Sequence, residues 1–180
     1  EIESFASNGL ALKSGEQLEA DIIVTATGLQ LVVMGDIKVT VDGQAIDVSQ
    51  CWTYKGLMLT QVPNFISTFG YINASWTLRA DLTAEWLCRL LNHMLLTGND
   101  KVVPELPDSL SNMTARSWIS GFSPGYMERV MHLMPKQGDR EPWINPQNYF
   151  KDRKMFRSAP IEDGILRFSK TEAICDRNIS

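Results

Sequence analysis

Cysteine, histidine and glycine-rich phosphate loops are all scarce or missing in this 180-residue chain. The three cysteines, Cys51, Cys88 and Cys175, are widely spaced and odd in number, which excludes a secreted disulfide framework and a CxxC zinc site and fits a reducing cytoplasm. Cys88, inside a predicted helix, reads as a buried structural thiol. His93 and His132 have no Cys, His or carboxylate at zinc-ligand spacing, so both read as surface or interface histidines and no metal ligand is assigned. There is no cationic excess: 17 Lys and Arg against 21 Asp and Glu give a net charge of −4, so nothing draws the whole chain to nucleic acid. The apolar runs Ile22–Val24 and Leu29–Met34, the second interrupted by Gln30, fall short of the roughly 20 residues of a membrane helix. No charged n-region precedes an apolar h-region, and no G-x-S-x-G elbow is present.

What is there reads as a mixed α/β chain. Leu10 and Leu12, the turn Ser14-Gly15-Glu16 and Leu18 predict a hairpin. Asp21–Ala26 is β-branched and continuous, the pattern of a parallel strand buried on both faces. Ile37–Val41, Asp42-Gly43 and Ile46–Val48 predict a second hairpin, and Leu57–Leu59 and Phe65–Phe69 two more short strands. From Ser75 to Thr97 the period becomes helical: Leu87, Leu90, Leu91, Met94 and Leu95 share a face, Glu85 and Arg89 stand at i,i+4, Asn73 or Ser75 can cap the start, and Gly98 ends it. Lys101–Ser120 reads as a connection without regular structure. Helices are predicted from Pro124 to Met134 and from Pro146 to about Ser158, with Pro at the first helical position of each, then a short terminal strand or extended tail over Ile165–Phe168 and a frayed end after Ser169. The basic run Lys151–Arg157, interrupted by Asp152, reads as a solvated helix face, and Trp76 and Trp86 as packing residues of the long helix.

Two stretches stand out. Asp21-x3-Thr25-Ala26-Thr27-Gly28 ends the apolar strand with small residues that let backbone run close to a ligand or turn sharply. Gly70-Tyr71-x-Asn73-Ala74-Ser75-Trp76-Thr77 leads into the long helix. The first resembles the Asp-x-hydrophobic-Ala-Thr-Gly motif of class B flavoprotein monooxygenases. Together with Trp52-x-Tyr54-Lys55-Gly56-Leu57-Met58, Val62-Pro63-Asn64 and Pro135-Lys136-Gln137-Gly138-x-Arg140-x-Pro142-Trp143-x3-Gln147-Asn148-Tyr149, the chain resembles, in order and over nearly its whole length, the C-terminal part of a Baeyer–Villiger monooxygenase, nearest the thioamide-activating subgroup.

That resemblance implies the C-terminal part of an FAD/NAD(P)-binding, two-dinucleotide α/β fold. Residues 1–28 would end the return from the NADPH domain, 29–100 would complete the FAD domain, and 101–180 would form a helical lobe. Phe65–Phe69 would be the last parallel strand of the FAD domain, and the helix after it would aim its N-terminus at the flavin ring. Thr27, Gly28, Gly70, Tyr71, Asn73, Ala74, Ser75 and Trp76 are then the expected cofactor-binding residues; for Asn73 and Ser75, plain N-capping stands beside that role. The intact enzyme would reduce FAD with NADPH, add O₂ to form C4a-peroxyflavin and insert one oxygen beside a ketone carbonyl or onto the sulfur of a small organic substrate. The family's two G-x-G-x-x-G loops are absent from the twelve glycines, so no catalytic residue is assigned and the segment alone is expected to be inactive. The start at Glu1, without Met, fits a piece whose partner is the N-terminal part of the same chain. Two alternatives stay open: a non-catalytic module that dimerises to cover the Ile22–Ala26 strand, and an N-hydroxylating flavoprotein monooxygenase.

Overall fold

Turn chemistry organises the N-terminal residues. A computed structural model describes residues 1–121 and 124–171, which divide into two units, Glu1–Gln30 and Leu31–Ser180. In the first, β1 (Ile2–Ala6), β2 (Gly9–Leu12) and β3 (Gln17–Glu19) form an antiparallel sheet in that order, with Leu10 opposite both Phe5 and Leu18. The predicted hairpin is β2–β3, and β1 adds a third strand.

Asp21–Ala26 departs from the sequence reading. It forms no strand, and Ile22 and Val24 are 82% and 84% exposed. A strand buried on both faces exists only where neighbours take up its N–H and C=O groups and layers cover its side chains. Three short antiparallel strands supply neither.

In the second unit β4 (Thr40–Val41) and β5 (Gln44–Ala45) turn on Asp42-Gly43 with φ of 51° and 78°, as the Asp-Gly signal predicts. The strands are shorter than expected because Asp47 accepts a bond from the Ser49 N–H at 3.0 Å and starts a 3₁₀ turn at Val48. β6 (Thr53–Tyr54) pairs with β7 (Met58–Leu59) around Lys55-Gly56, both left-handed at φ 52° and 65°. Phe65–Phe69, expected as a parallel strand, has no strand partner: Ser67 N–H bonds the Leu57 carbonyl at 2.8 Å, and left-handed Asn64 bonds away to Val102 at 2.9 Å.

The long helix α1 (Trp76–Thr97) is where periodicity put it, with Gly98 at φ 68° closing it. Its buried row is Leu82, Trp86, Leu90 and Met94, spaced by four, together with Arg79 and Thr83. Leu91 and Leu95 are exposed because this narrow row alone meets the rest of the unit. Glu85 and Arg89 do not pair: Glu85 binds Arg157 at 2.6 Å, and Arg89 donates to the carbonyls of Phe156 and Ala159. Cys88 is exposed, on the far side of the helix from the buried row.

The predicted connection after the helix is in fact β8 (Lys101–Pro104), antiparallel to β9 (Leu166–Ser169), so residues 101–171 mix strand and helix. The helix predicted from Pro124 is only α2 (Gly125–Glu128), capped by Pro124, followed by a 3₁₀ turn at Met131–Leu133. α3 (Tyr149–Ser158) starts later than Pro146 because Gln147 is left-handed at φ 48° and Asn148 caps it, accepting from the Lys151 N–H at 3.1 Å. α1 and α3 close over one core of Tyr54, Leu57, Met58, Trp86, Trp143 and Phe156. Cys175 and most of the residues expected to fray lie outside the described residues. No helix among the described residues is long and apolar enough to cross a membrane.

Candidate functional site

The segment Gly70–Trp76 changes from buried to exposed within a few residues. Gly70 and Tyr71 are buried, Ile72 is half-buried, and Asn73, Ala74, Ser75 and Trp76 are exposed. Ser75 occupies the N-cap position, but its hydroxyl bonds Thr77 Oγ1 at 2.7 Å and caps no N–H. Asn73 makes no cap either, so the simple capping reading does not describe either residue. The N–H groups of Trp76 and Thr77 are left available at the positive end of a 22-residue helix. Trp76, expected in the packing of α1, is 57% exposed and rests on Phe69 with ring centroids 5.1 Å apart. A Cβ on Gly70 would run into its indole. Thr27 and Gly28 belong to the first unit, where both are exposed and Gly28 is left-handed at φ 87°. The two predicted groups are thus carried by different units.

A buried polar ladder holds this segment from behind. The Tyr71 hydroxyl donates to Asp152 Oδ2 at 2.8 Å, and the same oxygen takes Arg79 Nη1 at 2.6 Å. Asp152 is 0% and Arg79 2% exposed, so this is a fully desolvated ion pair. Arg79 Nη2 donates to the Lys55 carbonyl at 2.7 Å. Lys55 is itself buried, with Nζ 3.2 Å from Asp163 Oδ2 and donating to the Tyr54 hydroxyl, which in turn donates to Asp163 at 2.5 Å. Burial pushes the Lys55 ammonium below the usual lysine range, with Asp163 pulling it back. The phenols move the other way: burial raises Tyr54, helped by the bond to Asp163, and burial raises Tyr71, helped by Asp152. Both therefore stay protonated donors.

The backbone of the segment is fixed as well. The Ile72 N–H donates to Gln147 Oε1 at 3.1 Å, and Gln147 Nε2 reaches the Gly70 carbonyl at 3.5 Å. Gln137 accepts from the Asn145 N–H at 2.8 Å and donates to the Ser117 carbonyl at 2.6 Å, which ties down the loop leading to Gln147. Gln137 and Gln147 of the Pro135–Tyr149 motif therefore brace the Gly70–Trp76 turn.

The chain is 48% identical over 172 residues to the FAD-containing monooxygenase EthA of Mycobacterium tuberculosis, covering 96% of this chain and 35% of that protein. It is a relative of FAD-containing monooxygenases. EthA of Mycolicibacterium smegmatis is 47% identical over 176 residues, covering 96% and 34%. The "Probable FAD-binding monooxygenase AlmA" of Acinetobacter baylyi is 43% identical over 177 residues, covering 98% and 35%. The chain spans about a third of the length of the curated relatives it matches. No family model and no solved structure matches it.

In this monooxygenase relative the residues that sequence reasoning missed are Lys55, Arg79, Asp152 and Asp163. Asp152 is not part of the solvated face to which its basic neighbours belong. A signal was present: Arg79 stands three, four and seven residues before buried Leu82, Thr83 and Trp86, and Asp152 four before buried Phe156. A charge at core spacing on one helix calls for its opposite at core spacing on another.

Proposed function

We propose that this chain is the C-terminal part of an FAD- and NADPH-dependent monooxygenase of Baeyer–Villiger type, with a two-dinucleotide fold completed by an N-terminal part of the same protein, acting in the cytoplasm on a small ketone or sulfur compound. In this reading residues 1–28 return from the NADPH domain, 29–100 complete the FAD domain and 101–180 form the C-terminal lobe. The observation that carries it is the uncapped, exposed N-terminus of α1, preceded by a turn that is fixed from behind by Tyr71, Arg79, Asp152 and Gln147.

The residues fit a flavin. Uncapped N–H groups at the positive end of a helix suit the anionic N1–C2=O edge of a reduced isoalloxazine, and Ala74 is small and exposed beside them. Asn73, Ala74 and Ser75 would line the ring edge and Trp76 would bound it; Thr27 and Gly28 remain cofactor-binding candidates of the first unit by the family resemblance alone. FAD, when bound, supplies the redox and oxygen chemistry. This chain supplies fixed dipoles that need no reorganisation and one wall that excludes water.

Bulk at Ala74 tests this. Because Ala74 is exposed, Ala74→Trp should leave stability within about 0.5 kcal/mol. In the full chain as the cell makes it, the variant should retain less FAD by absorbance or release more hydrogen peroxide per NADPH consumed. Wild-type retention and coupling would remove this segment from the flavin site. Exposed Ile22 and Val24 favour a second reading, a dimerising module without chemistry. That reading expects a dimer in sedimentation equilibrium and no flavin in the full chain.

A further inference from the structure

The two sides of α3 differ in chemistry. Asp152 and Phe156, spaced by four, go into the core, where Asp152 meets Arg79 at 2.6 Å. Phe150, Arg153, Lys154 and Arg157, at i, i+3, i+4 and i+7, stand together on the outer side and are all exposed. With Ser158 they border one open groove of about 280 Å³, and Lys151 is exposed beside them. Four cations of a chain with net charge −4 are thus gathered on about two turns of helix.

Counter-charge at this face is sparse. Glu85 takes Arg157 in two bonds of 2.7 and 2.6 Å. Glu141 lines the neighbouring groove with Lys151 and Lys154, but among the described residues no ion pair takes up Lys151, Arg153 or Lys154. Phe150 is 76% exposed, its ring edge-on to that of Tyr149 with centroids 5.6 Å apart. Cations call for an anionic partner, and the phenyl ring calls for hydrocarbon as well. A bilayer with acidic headgroups offers both, charge at its surface and acyl chains just below, and long Lys and Arg stems let their charged ends stay at the headgroups. Nucleic acid fits less well, because strands that stack on aromatic side chains use a succession of rings along a cationic groove, and this face exposes one.

We propose that the outer face of α3 docks on the surface of an anionic lipid bilayer. The inference does not rest on the oxygenase reading, since vesicle binding reads no flavin. In the full chain as the cell makes it, co-sedimentation compares vesicles of phosphatidylcholine alone with vesicles that also contain phosphatidylglycerol. Binding should need phosphatidylglycerol and weaken as salt is added. Arg153→Gln with Lys154→Gln should weaken it about 30-fold, at roughly fivefold per cation, and Phe150→Ala about tenfold. All three positions are exposed, so the variants should unfold in urea as the wild type does. Lys38→Gln with Lys101→Gln removes the same charge outside α3 and should leave binding unchanged. No binding to phosphatidylglycerol vesicles, an equal loss in the Lys38 and Lys101 variant, or undiminished binding in Phe150→Ala would each overturn the proposal. Binding of duplex DNA through Arg153 and Lys154 without vesicle binding would give the face to nucleic acid and overturn it too.

Discussion

Asp152→Ala is expected to cost about 3–5 kcal/mol of stability, a large part of the roughly 5–15 kcal/mol that holds a domain folded. The carboxylate is fully buried and serves two partners through one oxygen, Arg79 at 2.6 Å and Tyr71 at 2.8 Å. Removing it strands the Arg79 guanidinium without a counter-charge, held by the Lys55 carbonyl at 2.7 Å and the Phe156 ring, 4.7 Å from its Cζ to the centroid. Urea unfolding followed by tryptophan fluorescence measures the loss, since Trp86 lies in the same core. Tyr71→Phe removes only one neutral donor and should cost about 1–2 kcal/mol. The pair Arg79→Met with Asp152→Leu should cost much less than Asp152→Ala, because it leaves no buried charge unpaired. If Asp152→Ala unfolds at wild-type urea concentration, the ladder contributes nothing to the fold.

The same ladder explains what the sequence disclosed and what it hid. Local chemistry was legible: the Asp42-Gly43 turn and the 22-residue helix with Gly98 at its end are where pattern and turn residues predict them. These depend on neighbours a few residues away. Asp21–Ala26 and Phe65–Phe69 were misread because an apolar run states only that it wants burial, and what buries it lies elsewhere. β8 was misread for the complementary reason: its partner, β9, begins 62 residues beyond the end of β8, and nothing local announces the pairing. The expected site residues Gly70–Trp76 came from resemblance to a family, and composition alone would not have singled them out. The side chains that fix that turn, Arg79 and Asp152, are 73 positions apart, and each reads by itself as a surface charge. Only the helical spacing of each relative to its own apolar row betrays it.

Gly70→Ala should separate the fold of this turn from its use. Gly70 is not left-handed, so the backbone tolerates alanine; the three atoms nearest the new Cβ all belong to the Trp76 indole. Trp76 is 57% exposed and can swing away, so urea stability should change little. The first residue of α1, however, must leave its seat on Phe69, and the wall it gives to the proposed flavin site shifts with it. A displacement near 1 Å costs a reacting geometry about 10²-fold, so oxygenation per NADPH consumed should fall steeply in the full chain while unfolding does not. If the indole is the cause, adding Gly70→Ala to Trp76→Ala should change nothing beyond Trp76→Ala alone, because the colliding ring is already gone. Additive losses in that cycle would mean that Gly70 acts through its own backbone instead. An unchanged product yield in Gly70→Ala would mean that Trp76 borders no reacting cofactor.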